Sequence, residues 1–388
     1  MKKLKIGFVL DDRLDKPDGV QVYVTTVGGW MSKQGHEVHY LVGNSPGYSG
    51  DTRVHHLSKT KSVRFNKNRM SIPLPANKKA IKQLLGQIDF DVLHVQMPYS
   101  PYLAGRVIKS MKQKTVLVGT FHILPYSLKE KLGTRALSRL VGSTKKRFDR
   151  VFSVSSAAQT FARSHFGIKS IVIPNAVNLT NYKTPKPVQE ERARIVYLGR
   201  LVERKGPAYL IAAYAKILDN DRSMAKKTEL IIGGKGPDLQ KLKKQAESIT
   251  KAHKDAQIHF LGFVSDAEKP SLLASARLAA FPSTGGESFG IVLVEAMAAG
   301  AGVVIGGNND GYKTVLGDEL PVVFNPKDTT QFAECLKTLL SDHELLKKLH
   351  NKQQKDVLQY DVSVIGKELI EQYSQLVQKR SLRHNKAR

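Results

Sequence analysis

The feature that most constrains the fold is an alternation of short apolar strands with helical segments, which runs twice along the chain. Leu4 to Leu10 is a continuous apolar run, a helical pattern follows from Val20 to Gln34, and a second strand is predicted at Glu37 to Val42. A repeated β-α-β pattern predicts a parallel, doubly wound sheet with helices on both faces. Further strands are predicted at Val92 to Val95, Val116 to Gly119, Arg150 to Val154 and Ile171 to Ile173, then at Ile195 to Leu198, Glu229 to Gly233, Ile258 to Leu261, Leu278 to Phe281 and Val303 to Ile305.

The two series are separated by a stretch without clear periodicity, Leu179 to Arg194, which contains Pro185 and Pro187 and is interpreted as a linker. A chain of 388 residues exceeds what one hydrophobic core usually supports. We therefore predict an α/β protein with two Rossmann-like domains that face each other across a cleft, where such folds bind ligands. The predicted boundaries are residues 1–178 for the first domain, 179–194 for the linker, 195–365 for the second domain and 366–388 for a C-terminal helix with a frayed basic tail.

The densest motif is GGESFGIVLVEAMAAG, from Gly285 to Gly300, in which two carboxylates flank a glycine turn that leads into a helix. Glu287 lies in the turn and Glu295 within the helix predicted from Gly290 to Ala299. The backbone N–H groups and the dipole at a helix N-terminus attract anions such as phosphate. On spacing alone, an ordinary β-α turn with a solvated Glu287 stays equally open.

Two other strands of the predicted sheets are followed by candidate functional side chains. Arg200 and Lys205, in the string GRLVERKG, can offer a planar fork and a compact charge to a diphosphate, although an ordinary basic loop would have the same composition. His122 follows its strand directly and is expected at the carboxyl edge of the first sheet. A single histidine at such a position is either structural or catalytic.

The net charge of +27 is concentrated in the first half of the chain, where residues 1–184 hold 30 Lys and Arg against 10 Asp and Glu. This bias indicates an anionic partner. A solvated lysine surface, nucleic acid and an anionic membrane face are the open explanations. Nucleic acid lacks support, because the sequence has no recognisable binding motif or aromatic platform.

Other classes of protein are disfavoured by simple counts. Cys335 is the only cysteine, which excludes an internal disulfide framework and a cysteine-based zinc site. The apolar run at the N-terminus ends at Asp11 and Asp12, too early for a signal peptide, and no apolar run approaches the roughly 20 residues that span a bilayer. We expect a soluble cytoplasmic protein. A Rossmann oxidoreductase is also disfavoured, since no G-x-G-x-x-G follows the first strand.

The string GGESFGIVLVEAMAAG resembles the E-x7-E signature of retaining glycosyltransferase family 4, which has the GT-B architecture. DGVQ, DFDVLHV, TFH, IPN and GRLVERKG extend the resemblance over nearly the whole chain. The resemblance implies that Glu287 and His122 lie beside the donor sugar. It also implies that Arg200 and Lys205 neutralise the departing diphosphate. The implied donor-binding residues are Gly19, Gly234, Val264, Ser288, Phe289, Gly290, Ile291 and Glu295, the last of which holds the ribose.

Within this family the pattern is most similar to the phosphatidylinositol mannosyltransferases, which implies GDP-mannose as donor and a lipid or lipid-linked acceptor. The first loop, Asp11-Asp12-Arg13, departs from these enzymes, which carry an aromatic residue against the inositol ring there. The acceptor therefore stays open, as does transfer from UDP-glucose or a similar donor to a soluble or polysaccharide acceptor. The predicted acceptor-binding residues are Asp12, Gln21, Arg64 and Arg69.

A basic helix and a second basic, amphipathic region of the first domain are expected to bind the inner face of an anionic membrane peripherally, since such segments attract lipid headgroups. The first group is Lys78, Lys79 and Lys82, and the second is Lys129, Lys131, Arg135, Arg139, Lys145, Lys146 and Arg147.

No metal or other cofactor is expected in the chemistry, because two cations can take the place of a metal at a diphosphate. Two D-x-D strings, at Asp89 and at Asp219, are interpreted as structural, since the first precedes a strand and the second ends a helix.

Overall fold

The computed structural model describes residues 2–15, 18–65, 68–74, 76–98, 100–123, 142–183 and 191–386. Contacts divide the chain into two compact units. The first unit comprises Met1–Ala176 with Val362–Arg388, and the second comprises Val177–Asp361. Residues 184–190, within the predicted linker, lie outside the described residues.

The described part of the first unit contains a parallel sheet and an antiparallel hairpin. Its strands are β1 (Lys5–Val9), β2 (Glu37–Gly43), β3 (Val54–Ser58), β4 (Thr60–Phe65), β5 (Asn68–Pro73), β6 (Val92–Gln96), β7 (Val116–Phe121), β8 (Arg150–Ser153) and β9 (Ile171–Val172). Its helices up to residue 176 are α1 (Gly19–Lys33), α2 (Lys78–Gln87), α3 (Leu103–Ser110), α4 (Gly142–Lys145) and α5 (Ser156–Phe166). The strand order in the parallel sheet is β3-β2-β1-β6-β7-β8-β9, and β4 pairs with β5.

The second unit is built on a parallel sheet in the order β12-β11-β10-β13-β14-β15. Its strands are β10 (Ala193–Leu198), β11 (Thr228–Gly233), β12 (Gln257–Gly262), β13 (Leu278–Phe281), β14 (Val303–Gly307) and β15 (Val323–Phe324). Its helices are α6 (Pro207–Asn220), α7 (Met224–Lys227), α8 (Leu239–Ala252), α9 (Lys269–Ala274), α10 (Ile291–Ala298), α11 (Asp310–Leu316), α12 (Thr329–Ser341) and α13 (His343–Asp356).

The predicted α/β architecture is confirmed, and every predicted strand is present within one or two residues of its predicted ends. The central strands β6, β7 and β13 are wholly buried, as expected for parallel strands covered on both faces. The sequence did not predict β3, the β4–β5 hairpin or β15. The hairpin is antiparallel and stands outside both β-α-β series, so the alternation carries no signal for it.

The C-terminal helix α14 (Val362–Lys386) belongs to the first unit. It extends into the predicted tail as far as Lys386, and Arg380 ties the start of that tail to the rest of the first unit. Tyr373 is fully buried, and its hydroxyl forms a hydrogen bond of 2.6 Å with His94 Nδ1. Arg380 donates hydrogen bonds to the carbonyls of Gln113 and Thr115. Of the helices that the structure describes, none is both long and apolar enough to cross a membrane.

Candidate active site

Glu287 lies in the turn between β13 and α10 and is only 8% exposed. Two cations from the loop after β10 contact its carboxylate. Arg204 Nη1 donates to Oε1 at 2.5 Å, and Lys205 Nζ lies 2.9 Å from Oε1 and 3.0 Å from Oε2. The Ser283 hydroxyl donates to Oε1 at 2.7 Å. Lys205 and Glu287, which were predicted separately for the diphosphate and for the sugar, are therefore in direct contact, and Arg204 is a third charged residue of this cluster that the sequence did not single out.

The electrostatics of this cluster keep Glu287 ionised. Burial raises the pKa of Glu287, but Lys205 and Arg204 outweigh it, so the pKa lies below its ordinary value. Tyr197 and Tyr312 are buried near Glu287. The pKa values of both tyrosines are raised, mainly by burial and further by the negative charge of Glu287. A buried carboxylate with fixed orientation can accept hydrogen bonds from the hydroxyls of a sugar.

Glycines allow neighbouring loops of the second unit to approach each other closely. Gly234, which follows β11, has a φ of +133°, and a Cβ there would lie 1.8 Å from the carbonyl oxygen of Gly199. Gly311, in the first turn of α11, packs against the turn of Glu287 in the same way, since a Cβ there would lie 1.9 Å from the Glu287 carbonyl oxygen. Any larger residue at either position must displace the loop it faces.

Replacing Gly311 by alanine is therefore expected to lower the free energy of unfolding by about 1–3 kcal/mol, the range for overpacking a filled site. Urea unfolding measures this change. Gly29→Ala is the matched control, because Gly29 lies within α1 and a Cβ there meets nothing within 4 Å. Equal stability of Gly311→Ala and the wild type would contradict the close approach.

The residues after Glu287 form the start of α10. Gly290, with a φ of +100°, is the N-cap, and the helix runs from Ile291 to Ala298, one residue inside the predicted bounds at each end. The side chain of Phe289 is buried against Tyr360, with 5.4 Å between ring centroids. Ser288 and Ile291 are partly exposed.

Glu295, the second carboxylate of the motif, lies inside α10 and has its own partners. The Tyr182 hydroxyl donates to Oε1 at 2.7 Å, and Lys269 Nζ donates to the same oxygen at 3.0 Å. Lys269 also pairs with Asp266 at 2.9 Å. Glu287 and Glu295 thus form two separate clusters: Glu287, before α10, pairs with two cations, and Glu295, within α10, pairs with Lys269.

The remaining candidates of the second unit lie in loops after its strands. Arg200 directly follows Gly199, the residue after β10, its side chain is exposed, and its carbonyl accepts a hydrogen bond from the Tyr197 hydroxyl at 2.9 Å. Val264 follows β12 and is partly buried. Its neighbour Phe263 is 61% exposed, with Lys235 Nζ 5.5 Å from the ring centroid.

His122 immediately follows β7, as predicted, and is 7% exposed. Its Nε2 lies 2.7 Å from Gln96 Oε1, so Nε2 donates and Nδ1 is left as an acceptor. Burial lowers the pKa of His122 to about 3, which makes the ring neutral at physiological pH. Tyr23 packs edge-on against it, with ring centroids 5.1 Å apart. A neutral imidazole can orient a hydroxyl through a hydrogen bond, but it has no positive charge with which to stabilise a phosphate.

The acceptor candidates of the first unit lie around its first loop. Asp12 Oδ1 accepts from the Arg13 amide at 2.7 Å, and the buried Gln21 donates from Nε2 to the Arg13 carbonyl at 3.1 Å. Gln21 therefore ties this loop to α1. Gly19 is the exposed first residue of that helix. Arg64 and Arg69 are backbone partners in the β4–β5 hairpin, and their side chains lie outside the described residues.

The predicted membrane-binding lysines of the first group are exposed on α2. Lys78, Lys79 and Lys82 lie outside the buried face of this helix, which presents Ile81, Leu84 and Leu85 to the core. In the second group, residues 124–141 lie outside the described residues. Lys145 and Arg147 of that group donate to the carbonyls of Phe166 and Ile108; Lys145 is partly buried, while Lys146 and Arg147 are exposed.

The two D-x-D strings have protein partners. Asp89 pairs with Lys112 and Lys114, and Asp219 pairs with His253 at 2.9 Å. In the part of the chain that the structure describes, no group of three or more His, Cys, Asp or Glu side chains could hold a metal ion.

The sequence did not predict five partners of the site: Ser283, Arg204, Tyr182, Lys269 and Gln96. Arg204 is next to Lys205 in the motif GRLVERKG, and Ser283 lies two residues before the motif of Glu287, so closeness in sequence was the available signal for these two. The other three come from segments far away in sequence, and a single sequence gives no indication of such contacts.

Comparison with known proteins adds independent information. The family model described as Glycosyltransferase Family 4 matches residues 17–181, and the family model described as Glycosyl transferases group 1 matches residues 180–356. The chain is 30% identical over 376 residues to a phosphatidyl-myo-inositol mannosyltransferase of Mycolicibacterium smegmatis, covering 95% of this chain and 93% of the relative.

A second relative, from Mycobacterium tuberculosis, is a GDP-mannose-dependent alpha-(1-6)-phosphatidylinositol monomannoside mannosyltransferase. It is 24% identical over 366 residues, which cover 88% of this chain and 90% of that protein. Among solved structures, Anabaena HepE in complex with UDP superposes with a TM-score of 0.73 at 19% identity, covering 96% of this chain and 100% of that one. At this identity the likeness is one of fold.

Proposed function

The chain belongs to glycosyltransferase family 4, and from this premise we propose that it transfers a hexose from a nucleoside diphosphate sugar to a lipid or lipid-linked acceptor. The proposed hexose is mannose, the proposed donor is GDP-mannose, and the anomeric configuration is retained. The reaction takes place at the cytoplasmic face of the membrane, to which the enzyme binds peripherally.

The observation that carries this proposal is the buried Glu287 carboxylate held between Lys205 and Arg204 at the start of α10. Glu287 can accept hydrogen bonds from sugar hydroxyls, and Lys205 and Arg204 carry the positive charge that attracts a diphosphate. These three side chains are in ion-pair contact. The N–H groups at the start of α10 add a further attraction for phosphate. The second unit thus offers a carboxylate for the sugar hydroxyls, and cations and backbone N–H groups for the diphosphate.

The proposed mechanism relies on electrostatic stabilisation of the departing diphosphate. Lys205, Arg200 and the N-terminus of α10 stabilise the negative charge that develops on the phosphate, while Glu287 orients the sugar. The departing phosphate accepts the proton of the acceptor hydroxyl on the same face, which leaves the new bond with the original configuration. Two cations suffice for this charge, so we propose a reaction without a metal ion.

GDP-mannose is supported as donor by the relative that is named for its dependence on this nucleotide sugar. The alternative is UDP-glucose or a similar donor with a soluble or polysaccharide acceptor, since a protein of the same fold is solved with UDP. A screen of GDP-mannose, UDP-glucose and related nucleotides, with and without membrane lipid extract, tests the choice. We expect release of GDP from GDP-mannose, stimulated by lipid; preference for a UDP-sugar would overturn the assignment of the donor.

Membrane binding is proposed to depend on the three exposed lysines of α2. Changing Lys78, Lys79 and Lys82 together to glutamine is expected to weaken binding to phosphatidylglycerol vesicles about 100-fold, at about 1 kcal/mol per lysine. Flotation of protein with vesicles at physiological salt measures this change.

The matched control removes the same charge from a helix of the second unit. Lys241, Lys243 and Lys244 lie on α8, outside its buried face, and their joint replacement by glutamine should leave flotation unchanged. Recovery of the wild-type protein entirely in the soluble fraction would contradict peripheral binding. Equal losses in both triple variants would show a dependence on net charge rather than on α2.

A further inference from the structure

Arg204 contacts the turn that carries Glu287 through both its backbone and its side chain. Its carbonyl oxygen accepts from the Thr284 amide at 2.9 Å and from the hydroxyls of Ser283 and Thr284, both at 3.2 Å. Its Nη1 donates to the Gly285 carbonyl at 2.9 Å and to Glu287 Oε1 at 2.5 Å. One residue therefore connects the loop after β10 to nearly every position of the turn from 283 to 287.

The balance of charge around Glu287 gives Arg204 and Lys205 different roles. The single carboxylate faces two cations, and all three side chains are largely buried, with exposed fractions of 11% for Glu287, 29% for Arg204 and 21% for Lys205. The Ser283 hydroxyl also contacts this carboxylate, and the buried hydroxyls of Tyr197 and Tyr312, whose pKa values are raised partly by the charge of Glu287, are neutral. Glu287 is thus in contact with two cations, one more than its own charge requires.

An incoming diphosphate would compete with Glu287 for one of the two cations. Lys205 ends in a compact ammonium on a flexible stem, which can turn from one anion to another. The guanidinium of Arg204 is planar and is held by a carbonyl and a carboxylate at once. If Arg204 moved away from Glu287, its guanidinium would lose its hydrogen bonds to both the Gly285 carbonyl and the Glu287 carboxylate. If Lys205 moves away instead, Glu287 keeps Arg204 as a buried counter-ion.

We propose that Arg204 is a positioning residue that holds Glu287 in place and ionised, so that Lys205 can exchange from Glu287 to the donor diphosphate. This inference rests on the proposed function of the site as a nucleotide-sugar site. Arg204 itself is assigned no contact with sugar or phosphate. It acts through Glu287, and its removal should alter the titration of that carboxylate.

The test compares Arg204→Gln and Arg204→Lys with the wild type and with Arg222→Gln. Arg222 is an exposed arginine between α6 and α7 and serves as the control for loss of one charge. The first readout is the titration of the Glu287 carboxyl by carbon-13 NMR in the donor-free protein, with its signal assigned by its loss in Glu287→Gln. The second is the pH dependence of kcat for sugar transfer.

In Arg204→Gln we expect the Glu287 carboxyl to titrate at higher pH, because one of its two cations is gone. The acidic limb of the kcat profile should move upward with it. At neutral pH, kcat should fall about 100-fold, a loss typical of a misplaced catalytic group, with a smaller change in the KM for donor. Arg204→Lys should recover part of both effects, and Arg222→Gln should behave as wild type.

A purely structural role would lower stability without moving the titration of Glu287. A folded Arg204→Gln variant with the wild-type titration and the wild-type acidic limb would therefore overturn the inference. Failure of the proposed function has a different signature, namely no sugar transfer by the wild type from any nucleotide sugar. The NMR titration needs no activity, so in that case it still decides whether Arg204 controls the ionisation of Glu287.

Discussion

Replacing Glu287 by glutamine is expected to lower kcat for sugar transfer by about 100- to 1,000-fold, the loss seen when one preorganised polar group is removed from an active site. Glutamine keeps the size of the side chain but loses the negative charge that accepts sugar hydroxyls and pairs with Lys205 and Arg204. Transfer of labelled hexose under single-turnover conditions measures the effect. Glu247→Gln, at an exposed position of α8, is the matched control.

The same variant has an expected effect on stability that depends on pH. The pKa of Glu287 in the folded protein lies below its ordinary value, so its ionised form stabilises the fold fully at pH values above the pKa of the unfolded chain. This stabilisation is lost as the pH falls through the pKa of the folded protein. Urea unfolding should show wild type to be more stable than Glu287→Gln at pH 7, with the difference shrinking toward lower pH. A difference that grows as the pH falls would contradict the buried ion pair.

Replacing Lys205 by methionine is expected to lower transfer to a similar degree, by about 100- to 1,000-fold. The variant removes the cation that is proposed to stabilise the departing diphosphate, while Arg204 continues to neutralise Glu287. The protein should therefore remain folded. Binding of nucleoside diphosphate, measured by calorimetry, should weaken strongly in Lys205→Met and much less in Glu287→Gln.

This contrast separates the two roles, since one residue is assigned to the phosphate and the other to the sugar. Lys251→Met, at an exposed position near the end of α8, controls for the loss of a lysine. Turnover near the wild-type rate in Lys205→Met would defeat the assignment of this lysine. Equal affinity of both variants for the diphosphate would defeat the division of roles.

The sequence predicted the fold well because parallel β-α-β units leave a strong local signal. Each central strand is a continuous apolar run, as at Leu278–Phe281, and each is followed by helical periodicity. The hairpin of Thr60–Phe65 and Asn68–Pro73 has no such signal. The attachment of the C-terminal helix depends on contacts such as that of Tyr373 with His94, which are far apart in sequence, and local periodicity does not encode them.

The candidate site was predicted in part for the same reason. Glu287 and Lys205 stand in compact motifs, and the structure brings them into contact. The sequence did not predict that each carboxylate of the motif already has a further counter-ion: Glu287 pairs with Arg204, and Glu295 pairs with Lys269. Such pairs follow from the approach of loops in three dimensions, and charge alone does not identify which of many lysines and arginines will meet a buried carboxylate.

The most direct test of hexose transfer by the second-unit site uses GDP-mannose labelled in the sugar, together with membrane lipid extract and purified protein. The label that enters the organic phase is then counted. We predict that wild-type protein moves label from GDP-mannose into the lipid fraction and that Glu287→Gln and Lys205→Met do not. Folded wild-type protein that moves no sugar from GDP-mannose, UDP-glucose or related donors to any acceptor would contradict the assignment of this site to sugar transfer.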